Sequence, residues 1–218
     1  TGGGTGFTAM ARVPADSGTA AVAFVLLIAG FASKAGIVPL HVWLPRAHPE
    51  APSHVSAVMS AAMVKVGVYG ALLVSIRLLP AGPAWWGLLL IALGAASAVY
   101  GILQASVATD LKRMLAYSTS ENVGLMYLAL GAGLLLRSSG VAEPADSAIA
   151  ACLLLVVGHA AFKTTLFLGA GSILHATGER DLDRLGGLGA RMPVTSAAFG
   201  IGALGAAALP VTSGFVAE

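Results

Sequence analysis

The stretch AAVAFVLLIAGFASKAGIVPLHVW, residues 20–43, is apolar over a length that crosses a bilayer, yet it contains Lys34. A second apolar run, from His54 to Leu79, contains Lys65 near its middle. A transmembrane helix needs about 20 predominantly apolar residues, and a charged side chain near the bilayer centre costs on the order of 3 kcal/mol on insertion scales. A chain that keeps two such lysines is therefore expected to move protons or ions.

The composition is that of a polytopic membrane protein. Of the 218 residues, 57% are hydrophobic and 10% are charged, and the mean hydropathy is +0.86, whereas soluble domains carry about 25% charged residues. Apolar runs of this length predict helices, because helices satisfy their own backbone groups in lipid, so we expect an all-α fold. A net charge of +2 without a Lys/Arg-rich block argues against nucleic acid as a partner.

Six apolar runs are long enough to span a membrane. They are Ala20–Trp43, His54–Leu79, Trp85–Val107, Met114–Leu136, Ser147–His175 and Val194–Val216.

Two of the six predicted spans are expected to be broken helices. Gly36 and Pro39 interrupt the first, and Pro210 interrupts the last, because proline lacks a backbone donor and clashes with the preceding turn. Broken helices persist at membrane depth only where protein or a water-filled cavity satisfies the freed backbone groups. Transporters use such breaks to place carbonyls and helix dipoles around an ion path.

The chain divides into a polar, Gly-rich loop at residues 1–19 and a transmembrane proton-translocation module at residues 20–218. The GGGTG stretch near the start does not fit a phosphate loop, because no lysine follows it at Walker spacing. The chain begins at Thr1 and ends at Glu218, directly after an apolar run. We therefore expect a fragment that is incomplete at both ends.

Both lysines have an alternative interpretation, in which the side chain snorkels to the membrane surface. Snorkelling works poorly from the middle of a span, so Lys65 is predicted to face the bundle interior and to exchange a proton. Lys34 lies closer to the end of its span and beside the predicted break. There, carbonyls freed by the break would hold its charge.

Later spans carry further titratable groups. His159 and Lys163 are four residues apart and so share one helix face, which predicts a proton relay or a water-filled cavity, although a histidine also serves as a packing residue. Glu121 lies inside the fourth span and is either a proton stop or a counter-charge to a lysine. His175, at the end of the fifth span, is either a loop residue or part of a relay.

The first connector contains His41, His48, Glu50 and His54. Histidine and carboxylate together can bind zinc, but the spacing matches no metal motif. A rigid, Pro-rich connector with titratable side chains at a proton entrance is the preferred interpretation. The single cysteine, Cys152, excludes an iron–sulfur cluster, a thiolate-held nickel–iron centre and an internal disulfide, so any redox chemistry is expected in a partner.

Basic residues in the connectors predict the orientation. The first, third and fifth connectors are expected on the cytoplasmic side, because they carry more Lys and Arg than the other connectors and the N-terminal segment. Asp110, which precedes Lys112, is expected to be a solvated helix cap. The basic residues of the first, third and fifth connectors are Arg46, Lys112, Arg113, Arg180, Arg184 and Arg191. Those of the N-terminal segment and the other connectors are Arg12, Arg77 and Arg137.

Several motifs resemble the antiporter-like, proton-translocating subunits of respiratory complex I and the Mrp superfamily. The most extensive is KAGIVPLHVWLPRAHPEAPSHVSA at residues 34–57, followed by MVKVGVYG at 63–70, DLKRMLAYS at 110–118 and HAAFK at 159–163. Within that family, AHPEAPS, SENVG and HATGERDLDRLGG resemble the membrane subunits of hydrogenase-4 (component B) and formate hydrogenlyase.

The resemblance implies a larger fold with two inverted repeats, of which this chain is the second, with broken helices at Pro39 and Pro210. It implies that Lys34 and Lys65 carry protons, that His159 is the neighbouring relay, and that Glu218 is the terminal acid of the last broken helix. It also implies iron–sulfur and nickel–iron or flavin centres in partner subunits, and a bacterial-type cytoplasmic membrane.

The sequence thus predicts a proton-translocating membrane subunit of a hydrogenase-type or NADH-quinone oxidoreductase-type complex, without a redox centre of its own. Two alternatives remain: a subunit of a multisubunit sodium/proton antiporter, and a membrane scaffold that does not pump.

Overall fold

The computed structural model describes Pro14 and residues 17–80, 82–210 and 212–217, and in these residues the chain is helical, with one isolated bridge between Asp110 and Asp181. The helices are α1 (Gly18–Ala35), α2 (Leu44–Glu50), α3 (Ser53–Leu78), α4 (Ala84–Val107), α5 (Leu111–Ser138), α6 (Ala142–Thr177), α7 (Leu188–Arg191), α8 (Pro193–Ala206) and α9 (Ser213–Ala217).

The prediction of an all-α membrane fold is confirmed, but the count of six spans is not. Among the described residues, α1, α3, α4 and α6 are long and apolar enough to cross a membrane. Helix α5 has the length but is more polar, and α8 is short. The bundle is built around α5, which packs extensively on α4 and also on α6.

Helix α1 ends where the sequence predicts a break. Gly36 adopts a left-handed conformation with a φ of 79°, and its N–H turns back to the carbonyls of Ala32 and Ser33, which is a common way to terminate a helix. The chain then runs through Pro39, and α2 begins at Leu44 with Pro45 in its first turn, a position where proline's missing N–H costs nothing.

The last predicted span is divided into two helices. Helix α8 ends at Ala206, Pro210 lies in the following turn, and α9 begins at Ser213. The Thr212 hydroxyl donates to the Leu209 carbonyl over 2.7 Å, so the turn satisfies part of its own backbone.

Helices α4 and α5 cross in direct backbone contact. A Cβ on Gly94 would lie 2.5 Å from the Gly124 carbonyl oxygen, and one on Gly131 would lie 2.7 Å from the Gly87 carbonyl oxygen. Glycine lets membrane helices approach closely, which increases their van der Waals contact. This contact fixes the position of α5, which carries part of the site described below.

We expect Gly94→Ala to destabilise the full-length protein by roughly 1–3 kcal/mol, because the new methyl group meets backbone atoms and must push the helices apart. The measurement is the thermal unfolding midpoint in detergent. Gly200→Ala on α8 is the matched control, because no atom lies within 4 Å of the position that its new methyl group would take and alanine is the better helix former. Equal midpoints for the two variants would contradict the proposed contact.

Candidate functional site

A row of buried basic side chains lies between α3, α5 and α6. His159 and Lys163 lie one turn apart on α6 and both are 0% exposed, while Lys65 on α3 is 8% exposed. The helical spacing puts the two α6 residues on one face, as the sequence predicts, and the fold brings Lys65 to that face. These three residues are called the basic row below.

Lys65 is held by two partners. Its ammonium group donates to the Ser60 carbonyl oxygen over 2.5 Å and contacts Nδ1 of His159. Ser60 lies in a π-helical turn, Met59–Met63, one turn before the lysine. Such turns occur frequently at functional sites, and here the turn supplies the oxygen that Lys65 needs as a buried cation.

The contact between Lys65 and His159 constrains where protons lie. A lysine ammonium only donates, so Nδ1 of His159 must then act as an acceptor, and the imidazole is neutral with its proton on Nε2. That Nε2 is buried and has no hydrogen-bond partner among the described residues. The pair can therefore share a proton at one nitrogen contact while the second ring nitrogen is available to bound water.

Lys163 is held by α5. Its ammonium group donates to the Leu115 carbonyl oxygen over 3.0 Å and contacts the Ser118 hydroxyl. The Thr119 hydroxyl lies 2.9 Å from that of Ser60. This polar contact joins α5 to the π-helical turn of α3. Protein oxygens thus replace water around both buried lysines.

Glu121 lies near Lys163, on the neighbouring helix α5. It is half-buried on α5 and attracts the Lys163 ammonium electrostatically. Together with Ser118 and Phe199 it lines a groove of about 340 Å³ that opens on the bundle surface. The position fits both roles that the sequence suggests, a counter-charge to a lysine and a proton stop near an exit.

Lys34 is not part of the basic row in this chain. It is exposed, forms no hydrogen bond or ion pair with any described residue, and lines shallow grooves beside Met63 and Val66 of α3. The expectation that freed carbonyls hold its charge is wrong, because the Lys34 side chain is exposed and donates to no described carbonyl. The Ser33 carbonyl accepts from the Trp43 indole over 2.8 Å instead. Glu218 lies outside the described residues.

The histidines of the first connector are separated from one another. His48 is fully buried in α2 and stacks on Phe167 with ring centroids 4.7 Å apart, so it is a core residue rather than a loop residue. His41 packs edge-on against Tyr100, and His54 is exposed. In the described part of the chain no group of three or more such ligands could hold a metal.

Three connectors are tied together at one end of the bundle. Arg180 pairs with Asp110 over 2.7 Å and donates to the Pro49 carbonyl oxygen over 3.1 Å. Lys112 donates to the Ala51 carbonyl oxygen over 2.5 Å and is only 2% exposed. The prediction of a purely solvated cap is therefore wrong, because Asp110 caps α5 by accepting from Arg113 and also binds the fifth connector.

Glu179 organises this fifth connector. Backbone N–H groups of Asp181 and Arg180 donate to its carboxylate, and with the nearby charge of Arg184 they hold the pKa of Glu179 below its ordinary value of 4.5. The folded state thus favours the ionised carboxylate.

We expect Glu179→Gln to lower the thermal unfolding midpoint of the full-length protein at neutral pH. A depressed carboxyl pKa adds stability that is complete above the ordinary value and is lost as the pH falls through the lowered one. The gap between wild type and variant should therefore close once the pH falls below 4.5. A gap that stays constant with pH would contradict an ionic role.

The hydroxyl-bearing residues around the basic row were not identified from sequence. Ser60, Ser118 and Thr119 lie in apolar runs where single hydroxyls bond to their own helix backbone and carry no distinct pattern. The signal that marks them is their position: Ser118 and Thr119 follow Leu115 by three and four residues and so share its helix face.

The sequence model of the family described as NADH:quinone oxidoreductase/Mrp antiporter, TM, matches residues 1–218. The chain is similar to an uncharacterized protein of Mycobacterium tuberculosis, with 60% identity over 201 residues, 92% of this chain and 31% of that protein. It is also similar to hydrogenase-4 component B of Escherichia coli, with 44% identity over 218 residues, 99% of this chain and 32% of that protein. It thus spans about a third of the length of these relatives.

Among solved structures, the chain resembles respiratory complex I from Thermus thermophilus with bound NADH. The similarity has a TM-score of 0.84 at 31% identity and covers 97% of this chain and 43% of that chain.

Proposed function

Because the chain belongs to the NADH:quinone oxidoreductase/Mrp antiporter transmembrane family, as its motifs predict, we propose that it forms the proton-translocating part of a membrane subunit. That subunit couples electron transfer in partner subunits to proton transport. The observation that carries the proposal is the contact between Lys65 and His159 inside the bundle. A structural ion pair would use a carboxylate, whereas two bases in contact can exchange one proton.

Proton transfer would follow the basic row. Lys65 holds a proton against the Ser60 carbonyl and passes it to Nδ1 of His159, while the proton on Nε2 leaves to bound water. Lys163 lies one turn further along α6 and, once it has released its own proton toward the groove beside Ser118, takes up a proton from that water. Ser118 and Glu121 border the groove by which the proton reaches the surface.

Electrostatic repulsion between the lysines of the basic row would drive proton release from one of them when the other gains a proton. Two like charges 6 Å apart at an effective dielectric near 20 repel by about 3 kcal/mol, which corresponds to roughly two pKa units. A proton arriving at Lys163 therefore lowers the affinity of Lys65 for its own, and Glu121 opposes that effect. Lys34 would change the proton affinity of Lys65 electrostatically, as the charge that pairs with Lys34 in the full-length protein moves.

The partners follow from this role. We expect further membrane subunits beside the exposed face of α1, and peripheral subunits that hold iron–sulfur and nickel–iron or flavin centres. The location would be a bacterial-type cytoplasmic membrane. The end of the bundle that carries Arg46, Lys112 and Arg184 would face the cytoplasm, because positive connectors remain on that side.

The family description favours one alternative, a subunit of a multisubunit sodium/proton antiporter. The same basic row would then exchange protons against a sodium gradient, without electron transfer. A scaffold that does not pump is the third possibility.

The test uses inverted vesicles that contain the whole complex with full-length subunits. We expect Lys65→Ala to reduce proton pumping about a hundredfold or to background, within the range that positioned proton-transfer groups contribute. Lys65→Arg should fail as well, although it keeps the positive charge, because arginine does not release its proton. Electron transfer and assembly are recorded in parallel.

Arg77→Gln is the matched control, because Arg77 is an exposed cation on the same helix, away from the basic row. It should pump like wild type. If Lys65→Arg pumps normally, Lys65 does not carry protons. Proton movement that requires a sodium gradient and no electron donor would favour the antiporter, and a wild-type complex without either activity would favour the scaffold.

A further inference from the structure

A cavity of about 320 Å³ lies between the first connector and the adjoining ends of α4 and α5. Its lining includes the guanidinium-bearing side chains of Arg46 and Arg113, the rings of Tyr100 and Tyr117, and His41. A volume of this size lies at the lower end of the range for ligand pockets. The cavity contains none of the residues of the basic row.

The charges that line this cavity are all positive. No carboxylate is among its lining residues, and within the described part of the chain neither Arg46 nor Arg113 forms an ion pair. Two other connector arginines at this end, Arg180 and Arg184, are each paired with an acidic residue. Two exposed arginines that line one cavity and form no ion pair are typical of a site for an anion.

A buried donor or acceptor supports this inference. His41 is 8% exposed, and its Nδ1 has no hydrogen-bond partner among the described residues. Its ring packs edge-on against Tyr100, which in turn packs edge-on against Tyr117. A buried polar atom without a partner costs free energy, and His41 is the buried polar side chain in the wall of this cavity.

The depth of the side chains matches a molecule with a charged head and apolar tails. Arg113 lies in the first turn of α5, and Tyr117 lies one turn deeper. Beside Tyr100, Val99 and Leu103 expose about 60% of their surface on α4. Tyrosines are enriched at the headgroup level of membranes, and basic pockets between membrane helices bind anionic headgroups.

We propose that this cavity binds the phosphate group of an anionic phospholipid, with the phosphate between Arg46 and Arg113 and the acyl chains along the exposed apolar face of α4. The lipid would pack the broken end of α1 and the connector after it against α4 and α5. The site is independent of proton transfer along the basic row, so it stands or falls separately from the proposed function.

The experiment uses the full-length protein, purified in detergent and stripped of lipid. Binding of dioleoyl phosphatidylglycerol is measured by native mass spectrometry, with the thermal unfolding midpoint as a second readout. Net-neutral dioleoyl phosphatidylcholine and inorganic phosphate are run alongside. We expect phosphatidylglycerol to bind and to raise the midpoint. Arg113→Gln should weaken its binding about fivefold, and Arg46→Gln with Arg113→Gln about thirtyfold.

Arg191→Gln is the matched control, because Arg191 is an exposed arginine at the same end of the bundle, outside the cavity; it should bind lipid like wild type. The pair Arg46→Lys with Arg113→Lys keeps the charge and should retain part of the binding, which guards against misfolding of the glutamine pair. Equal lipid binding by wild type and the glutamine pair would overturn the site. Equal binding of phosphatidylcholine, or the full effect from inorganic phosphate alone, would overturn the lipid assignment.

Discussion

The arrangement of the bundle depends on providing oxygen atoms as hydrogen-bond acceptors for two buried ammonium groups, those of Lys65 and Lys163. An unpaired cation in an apolar interior is prohibitively costly. The oxygen that meets Lys65 comes from the π-helical turn of its own helix, α3, and those that meet Lys163 come from the face of α5 that carries Leu115 and Ser118. Displacing α5 by one turn along α6 would remove these partners from Lys163. The position of the helices along their axes is thereby fixed by polar contacts as well as by shape.

Helix α5 contacts its neighbours through two kinds of surface, one of glycines and one of polar oxygens. Toward α4 it presents Gly124 and Gly131, which allow backbone contact without side chains. Toward α6 it presents the oxygens of Leu115 and Ser118, which meet Lys163, and toward α3 the hydroxyl of Thr119, which meets that of Ser60. The close contact with α4 holds α5 rigidly, and a rigid helix can keep hydrogen-bonding oxygens at fixed positions for a titrating group.

Much of this architecture was predictable from hydropathy and local motifs. The length of the apolar runs predicts the helices, and Gly36 with Pro39 predicts the end of α1, because both depend on neighbouring residues only. The spacing of His159 and Lys163 predicts their common face for the same reason. The contact of Lys65 with His159 joins residues 94 positions apart, and no local pattern specifies which helices become neighbours.

Two errors have the same origin. The prolines around His48 predict an irregular connector, but this segment folds into α2. The imidazole ring of His48 is buried there against Phe167. The break beside Lys34 predicts that freed carbonyls hold its charge, but the Lys34 side chain is exposed, and the Ser33 carbonyl accepts from Trp43 of the following segment. In both cases tertiary contacts decide the environment that the sequence pattern leaves open.

The hydrogen bonds at the end of α1 affect whether its carbonyls are available to a cation. A sodium ion crosses a protein only where several oxygens replace its hydration shell at once, and the carbonyls at the end of α1 are natural donors of such oxygens. Here Trp43 and the Gly36 N–H occupy the Ser33 carbonyl, and the Ile37 N–H occupies that of Ala32. A cation that approached the Ser33 carbonyl would therefore compete with an indole hydrogen bond.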